Sequence, residues 1–173
     1  MSNLRLINET EADSVATINI TDVFSADFDI YKIAFDFGFN TTSNVNAKLI
    51  NSSGSVISAS NYDFAYLQTR TDTTFNEGRG SNSTVFYYLG SSSTGTQYGG
   101  GTVLYVFNPF ASSSYTFLLW QNQSGYSSSL ALGYKGISVL KQTSSVTGIQ
   151  LNTASTNNFT NTTVRTYGLR VDS

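Results

Sequence analysis

Alternation over residues 31–39 is the feature of this sequence that most constrains its fold. The run Tyr31–Phe39 reads YKIAFDFGF, with a large apolar side chain at every odd position. Successive side chains of a β-strand point to opposite faces, so all of these large side chains share one face. Burying them contributes roughly 8–15 kcal/mol before conformational entropy is subtracted. The run therefore predicts a core strand with one dry face and one wetter face.

The absence of two residue types narrows the chemistry open to the chain. Its 173 residues include no cysteine and no histidine. Without cysteine there are no disulfides, thiolate zinc sites or cysteine nucleophiles. Without histidine the commonest general base and metal ligand are missing, as is the usual partner of a nucleophilic serine. We therefore predict a protein that is not an enzyme and holds no cofactor or metal.

Charge and hydropathy exclude two classes of partner. Charged residues make up 12% of the chain and the net charge is −2, so the basic surface that binds nucleic acid or an anionic membrane is missing. No apolar run reaches the roughly 18 residues of a membrane-spanning helix. Met1–Arg5 lacks the apolar core of a signal peptide. We expect no nucleic-acid partner, no membrane insertion, and synthesis and assembly in a cytoplasm.

Short apolar runs separated by glycine, serine and asparagine turns recur along the whole chain, and no amphipathic helix pattern interrupts them. Together with an aromatic content of 14%, this organisation is typical of a compact β protein. We predict an all-β fold, an antiparallel β-sandwich of jelly-roll type with about nine or ten strands. Residues 1–13 are predicted to be an N-terminal arm or an edge strand, and residues 14–173 a single domain.

Two runs are apolar at odd and even positions alike, namely Thr102–Phe107 and Tyr115–Trp120. This pattern predicts central strands that are covered on both faces. Pro109 ends the first of them, because proline cannot donate a hydrogen bond to a neighbouring strand. Near the N-terminus, Phe24 and Phe28 are expected to pack beneath the Tyr31–Phe39 strand and close one end of the core.

Two long polar segments, 70–84 and 90–101, are predicted to be loops, and loops of this length are usually functional or involved in contacts. Tyrosines on loops anchor protein interfaces and stack on sugar rings. The alternative is that the loop aromatics fold back onto the core. The side chains predicted to form an interface are Arg70, Phe75, Arg79, Tyr98, Phe110, Tyr115 and Tyr126.

A cluster of aspartates around residue 27 raises the question of a calcium site. Asp27 and Asp29, with Asp22 and Asp36 nearby, offer carboxylate oxygens of the kind that calcium prefers. Phe28 separates the two central carboxylates, and the chain then enters a strand. Solvated loop carboxylates are therefore the favoured interpretation.

Two further patterns are weighed against an ordinary structural explanation. Asp63, Asp72 and Glu77 could supply the paired carboxylates of a glycoside hydrolase, but acids on a β protein are mostly surface charges. Gly99–Gly101 lacks the lysine and the following helix of a phosphate-binding loop, so we interpret it as a flexible loop before a strand.

Several short motifs resemble the small β-sandwich virion proteins of tailed bacteriophages. These proteins often show a short strand, a Phe-Ser connection and a strand that opens with an Asp/Asn-x-Tyr-x-Ile motif. The segments that carry the resemblance here are Val15–Phe24, Phe28–Ile33, Asn108–Phe110, Gly148–Leu151, Asn158–Phe159 and Val164–Arg170.

The resemblance implies a structural protein of the virion. One such protein is a capsid decoration or cement protein, which binds the major capsid protein and stabilises the head. The alternative is a tail-fibre or tail-tip component, which binds tail proteins and a host-surface glycan. For either role we expect a homo-oligomer, of which a trimer is one arrangement, and the resemblance assigns no catalytic residues. A chain without cysteine and histidine suits assembly in a reducing cytoplasm and later exposure on the particle.

Overall fold

Thirteen β-strands and one 3₁₀ turn are present in the computed structural model, which describes residues 3–72, 75–154 and 157–169. The strands are β1 (Leu4–Ala12), β2 (Thr17–Ile20), β3 (Ile30–Phe39), β4 (Ser43–Asn51), β5 (Tyr62–Arg70), β6 (Asn76–Ser83), β7 (Phe86–Ser92), β8 (Gly100–Phe107), β9 (Thr116–Ser127), β10 (Leu130–Leu140), β11 (Val146–Thr153), β12 (Phe159–Thr160) and β13 (Thr162–Leu169). The predicted number of strands was therefore too low.

The strands form two antiparallel sheets that pack against each other, as the sequence predicted. The large sheet has the order β1-β13-β3-β8-β9-β10-β5-β6, with β12 paired to β3, and the small sheet has the order β2-β11-β4-β7. Four pairs are nested along the chain: β2 with β11, β3 with β8, β4 with β7, and β5 with β6. This nesting is the jelly-roll arrangement. Strands β9 and β10 are inserted between β8 and β5, and β13 and β1 extend the sheet beyond β3.

Strand β3 is the central core element that its alternation predicted. The side chains at its five odd positions from Tyr31 to Phe39 are 0–4% exposed. They share one buried cluster with residues from the inner face of the small sheet, including Val45, Leu49 and Ile149. The prediction of a dry face is confirmed, and this face holds the two sheets together.

The segment before β3 closes one end of the core. The rings of Phe24 and Phe28 lie edge-on to Tyr31, at centroid distances of 4.8 and 5.7 Å. The Tyr31 hydroxyl donates a hydrogen bond of 2.9 Å to the Ser25 carbonyl oxygen, which satisfies the polar end of a buried ring. The predicted packing of both phenylalanines beneath the strand is confirmed.

Large aromatic rings on the inner face of the large sheet lie over glycines of the neighbouring strand. Trp120 on β9 is paired with Gly136 on β10, and Tyr66 on β5 is paired with Gly78 on β6. A Cβ atom at either glycine would lie 2.3 Å from the ring opposite. These glycines are therefore needed for the close approach of an aromatic side chain.

The prediction that segments 70–84 and 90–101 are long loops is mostly wrong. Residues 76–83 of the first form strand β6, which pairs antiparallel with β5. In the second, β7 continues to Ser92, Thr96–Tyr98 form a 3₁₀ turn, and β8 begins at Gly100. Thr73 and Thr74, within the first predicted loop, lie outside the described residues, and so do residues 155–156. Met1, Ser2 and residues 170–173, at the two ends of the predicted domains, lie outside them as well. Within the part that is described, no helix has the length and hydropathy to cross a membrane.

Replacing Gly136 by alanine tests the close packing of Trp120. Because the added Cβ would lie 2.3 Å from the indole ring, we expect Gly136→Ala to lower the free energy of unfolding by about 1–3 kcal/mol in urea denaturation. The matched control is Gly101→Ala on β8. The nearest atom to its Cβ would be the Phe35 carbonyl oxygen at 3.9 Å, so its stability should stay close to that of the wild type. Equal stability of the two variants would contradict this packing.

Candidate interaction surface

The outer face of the large sheet, which points away from the small sheet, carries an apolar surface. Cross-strand register places its side chains in rows. One row runs Tyr105, Leu119, Ile137, Ala65, and the next runs Phe107, Phe117, Val139. Leu67 lies two residues beyond Ala65 on the same strand and the same face. We call this surface the outer patch; it consists of Ala65, Leu67, Tyr105, Phe107, Phe117, Leu119, Ile137 and Val139.

Four members of the outer patch are exposed to a degree that is unusual for large apolar side chains. The exposed fractions are 61% for Ile137, 59% for Leu67, 47% for Phe117 and 37% for Leu119. They lie on the adjacent strands β5, β10 and β9, so they form one surface. Single exposed apolar residues need no explanation, but a contiguous group of them marks an interaction site.

Strands β9 and β10 carry apolar residues on both of their faces, because their sequences are apolar at odd and even positions alike. On β9, Leu118 and Trp120 point inward and are at most 2% exposed, which leaves Phe117 and Leu119 on the outside. On β10, Gly136 faces inward beneath Trp120, which leaves Ile137 outside. The inner positions build the core, and none of the described residues forms a layer over the outer ones.

A shallow groove runs along the outer patch. It has a volume of about 580 Å³, and its floor and walls include Ala65, Phe107, Phe117, Ile137 and Val139. A second groove of about 650 Å³ continues over Leu67 and Lys135. The concave, apolar shape suits an inserted side chain of another protein.

Two lysines border the outer patch and form no ion pair with other described residues. Lys32 is paired in register with Tyr105, and Lys135 is paired with both Gln121 and Leu67. The ion pairs among the described residues are Arg70–Asp72, Lys141–Asp63 and Arg165–Glu9, so neither lysine takes part in one. Two cations without an ion pair therefore lie beside the apolar surface, and Glu77, in register with Leu67, adds an acid at its β6 edge.

Asp63 lies near the opposite border of the patch and is compensated. Its carboxylate accepts from Lys141 at 2.9 Å and from the Asn82 backbone N–H at 2.8 Å. The hydrogen bond from Lys141, followed by that from the backbone, lowers the pKa of the Asp63 carboxyl below its ordinary value. Asp63 is thus a paired surface charge.

The outer face of the small sheet differs in character. In register on neighbouring strands, Asn19, Gln150 and Lys48 form a polar row. The Gln150 side-chain amide donates to the Asn19 oxygen at 2.8 Å. The two outer faces of the sandwich are therefore distinct, one apolar and one polar.

The seven predicted interface residues do not form one site. Arg70, Tyr98 and Tyr126 lie towards one end of the sandwich, where Ser124 on β9 is in register with Leu132 on β10 and Leu132 with Arg70 on β5. Phe75, which is 75% exposed, lies near the same end. Phe110 and Tyr115 precede β9 at the other end, about 35 Å away along the strand. Arg79 lies on the outer face beside Ala65, at the edge of the outer patch.

The apolar residues of the outer patch were not recognised from the sequence. The prediction that Thr102–Phe107 and Tyr115–Trp120 are covered on both faces is wrong. Phe117 and Leu119 are exposed, and Tyr105 and Phe107 are half-buried. The sequence signal was present, because both runs are apolar on two faces. A second apolar face can be covered by the same chain or by another protein, and the pattern does not distinguish the two.

Three tyrosines pack together between β5, β7 and β10. The ring of Tyr88 lies 5.0 Å from that of Tyr66 and 5.5 Å from that of Tyr134. Gln68 donates to the Tyr134 hydroxyl at 2.6 Å. Burial raises the pKa of Tyr134 to about 12. The Tyr134 phenol therefore stays protonated near neutral pH, and the three rings pack the open end of the sandwich.

The acidic residues considered for chemistry are separated. Asp27 accepts from the Ser25 hydroxyl at 3.1 Å, and both Asp27 and Asp29 are exposed. Glu77 is in register with Leu67, four residues along β5 from Asp63, which is a separation of about 13 Å. The carboxyl groups of most glycoside hydrolases lie within about 10 Å of each other. Asp72 pairs with Arg70 at 2.5 Å. Within the ranges described, no three acidic side chains converge on a metal site.

Fold and surface together define an antiparallel jelly-roll β-sandwich whose larger sheet has an apolar outer face. No protein-family model matches the sequence, and no curated protein gives a significant match. Among solved structures, a chain in "Structure of infectious bursal disease virus Gx strain" is 10% identical, with 97% of this chain and 41% of that chain covered and a TM-score of 0.18. This chain thus spans less than half the length of that viral chain, and a TM-score this low indicates no shared fold.

Proposed function

We propose that the protein is a structural component of a tailed-bacteriophage virion, a capsid decoration or cement protein that docks on the head through the outer patch. The observation that carries the proposal is the contiguous exposure of Leu67, Phe117, Leu119 and Ile137 on one face of the large sheet. The sequence motifs that resemble phage virion proteins supply the class of particle, and the major capsid protein is the proposed partner.

The energetics of the outer patch favour many weak attachments over one strong one. Fully burying a large apolar side chain contributes about 1.5–3 kcal/mol, and these four side chains are already partly buried. Their complete burial would add roughly 3–6 kcal/mol, which is comparable with the freedom lost on association. A single copy would bind weakly, whereas linked copies of a homo-oligomer on a repeating shell would gain by avidity.

The charge beside the outer patch indicates the chemistry of the partner. Lys32 and Lys135 have no ion pair among the described residues, and docking would desolvate them. An uncompensated buried charge is costly, so the complementary surface should combine apolar side chains with carboxylates. In this orientation the polar face with Asn19, Lys48 and Gln150 would point to solvent from the particle.

A charge placed in the centre of the outer patch tests the proposal. Ile137 is 61% exposed, so Ile137→Asp should leave the fold intact, yet it would bury a carboxylate at the contact. We expect binding to purified tailless heads, measured by co-sedimentation, to fall by about tenfold or more. The matched control is Thr17→Asp, which places the same charge at an exposed strand position on the polar face of the small sheet.

The two variants should have similar thermal midpoints, and only Ile137→Asp should lose binding. If Ile137→Asp occupies heads as the wild type does, the outer patch is not the docking surface. Recovery of the wild-type protein only in tail fractions would contradict the decoration role itself.

A second function is supported by the end of the sandwich that carries Tyr98 and Tyr126. A cleft of about 550 Å³ there is lined by Thr71, Gln97 and Tyr98 and by the β9–β10 turn. Tyr98 is half-buried there beside serine and threonine hydroxyls, a composition that suits a sugar. Tyr126, also half-buried, lies between the lining residues Gly125 and Ser127 in the sequence. This arrangement would suit a tail-fibre or tail-tip protein that binds a host-surface glycan.

Removal of the two rings tests this alternative. In a tail-tip protein, Tyr98→Ala and Tyr126→Ala should each reduce adsorption of whole particles to host cells by about tenfold, because stacking on a sugar is lost. Tyr115→Ala is the control, since Tyr115 is exposed at the opposite end of β9. Adsorption that is unchanged by Tyr98→Ala and Tyr126→Ala would exclude glycan binding in this cleft.

A further inference from the structure

The edges of the two sheets are not equally protected. Strand β1 has a register shift between Leu6 and Asn8, and β7 has one opposite Val45 and Ala47, with Tyr88 at a φ of 61°. Strand β2 has four residues. Bulges and short strands of this kind discourage pairing with another chain. Strand β6, the remaining edge, has a register shift between Gly80 and Ser83, with Asn82 at a φ of 54°, but it keeps a regular register with β5 from Asn76 to Gly80.

The side chains of β6 also suit a neighbouring strand. Gly78 and Gly80 face inward beneath Tyr66 and Phe64, so no bulky group shields the edge on that face. Glu77 and Arg79 are exposed, lie on the outer face on either side of Gly78, and form no ion pair with other described residues. An acid and a base are therefore placed symmetrically about one glycine.

We propose that β6 pairs antiparallel with β6 of a second copy of this chain, around a two-fold axis at Gly78. In that register Glu77 of each copy lies opposite Arg79 of the other, and the two pairs are identical by symmetry. Oppositely charged residues directly across an antiparallel pair stabilise it. The free N–H and C=O groups of both edges become paired, and the two large sheets join into one continuous sheet.

The charges select this register over its neighbours. A two-fold axis perpendicular to the sheet keeps both outer faces on one side, so outer residues must oppose outer residues. Centring the pair on Glu77 would place Glu77 opposite itself, and centring it on Arg79 would place Arg79 opposite itself. Both alternatives bring like charges together, which destabilises an antiparallel pair. Only the register centred on Gly78 gives attraction at both positions.

The pairing is independent of the proposed function and changes what an assembly would look like. A two-fold contact predicts a dimer or a multiple of it, in contrast to the trimer that the family resemblance included. Because the outer faces lie on the same side, two outer patches would be presented together. A dimer would then attach to a repeating surface through two sites.

Charge reversal at the two positions tests the proposal by sedimentation-velocity measurements over a range of concentrations. Glu77→Arg and Arg79→Glu each replace two attractive pairs by two repulsive ones. Each should therefore raise the dimer dissociation constant by about tenfold or more. The double variant Glu77→Arg/Arg79→Glu restores opposite charges across the axis and should dimerise as the wild type does. The controls, with the same charge changes elsewhere, are Glu11→Arg on β1 and Lys48→Glu on β4.

Rescue by the double variant is the decisive result, because no general effect of charge on solubility or folding would produce it. Near-ultraviolet circular dichroism checks that each variant is folded. The proposal is overturned by a wild-type chain that is monomeric at every concentration, by a dimer that both single variants leave unchanged, or by a double variant that stays monomeric. Binding to heads is a separate readout, so failure here leaves the docking role of the outer patch standing.

Discussion

The inner face of β3 is the constraint on which the rest of the structure depends. Its aromatic side chains fill the space between two sheets of unequal size, and they are 0–4% exposed. Elsewhere on the same inner face, large aromatic rings lie opposite a glycine of the neighbouring strand. Gly136 is opposite Trp120, and Gly78 is opposite Tyr66. The core is thereby filled on the inner side of the large sheet, and the outer side carries the exposed apolar residues of the outer patch.

Much of the fold could be predicted from the sequence because the signals are local. Strict alternation identified β3, and the aromatic connection before it was placed correctly. Strand β6 was missed because Asn76–Ser83 is rich in glycine, serine and asparagine, which have low β propensity. Its strand is held by the rings of Phe64 and Tyr66 on β5, which pack over its glycines, and that long-range packing outweighs local preference.

The candidate surface was less predictable, for a different reason. Runs that are apolar on both faces correctly located the central strands β8 and β9 but not what covers them. Phe117 and Leu119 look like core residues in sequence and are exposed in the fold. The aromatic residues that were predicted to form an interface lie at the two ends of the sandwich, whereas the contiguous apolar surface lies in the middle of a sheet. Whether an apolar face is buried depends on which strands and partners surround it, and neither is encoded in the spacing of the strand itself.

We propose above all that the outer patch is the surface through which the protein attaches to its particle. Hydroxyl-radical footprinting with mass spectrometry, on the free chain and on the chain bound to heads, tests it most directly. If the protein attaches through this surface, oxidation of Phe117, Leu119 and Ile137 slows on binding, while oxidation of Tyr98 and Tyr126 does not change. Unchanged oxidation at the three outer-patch residues in the bound state, with protection elsewhere on the molecule, would contradict it.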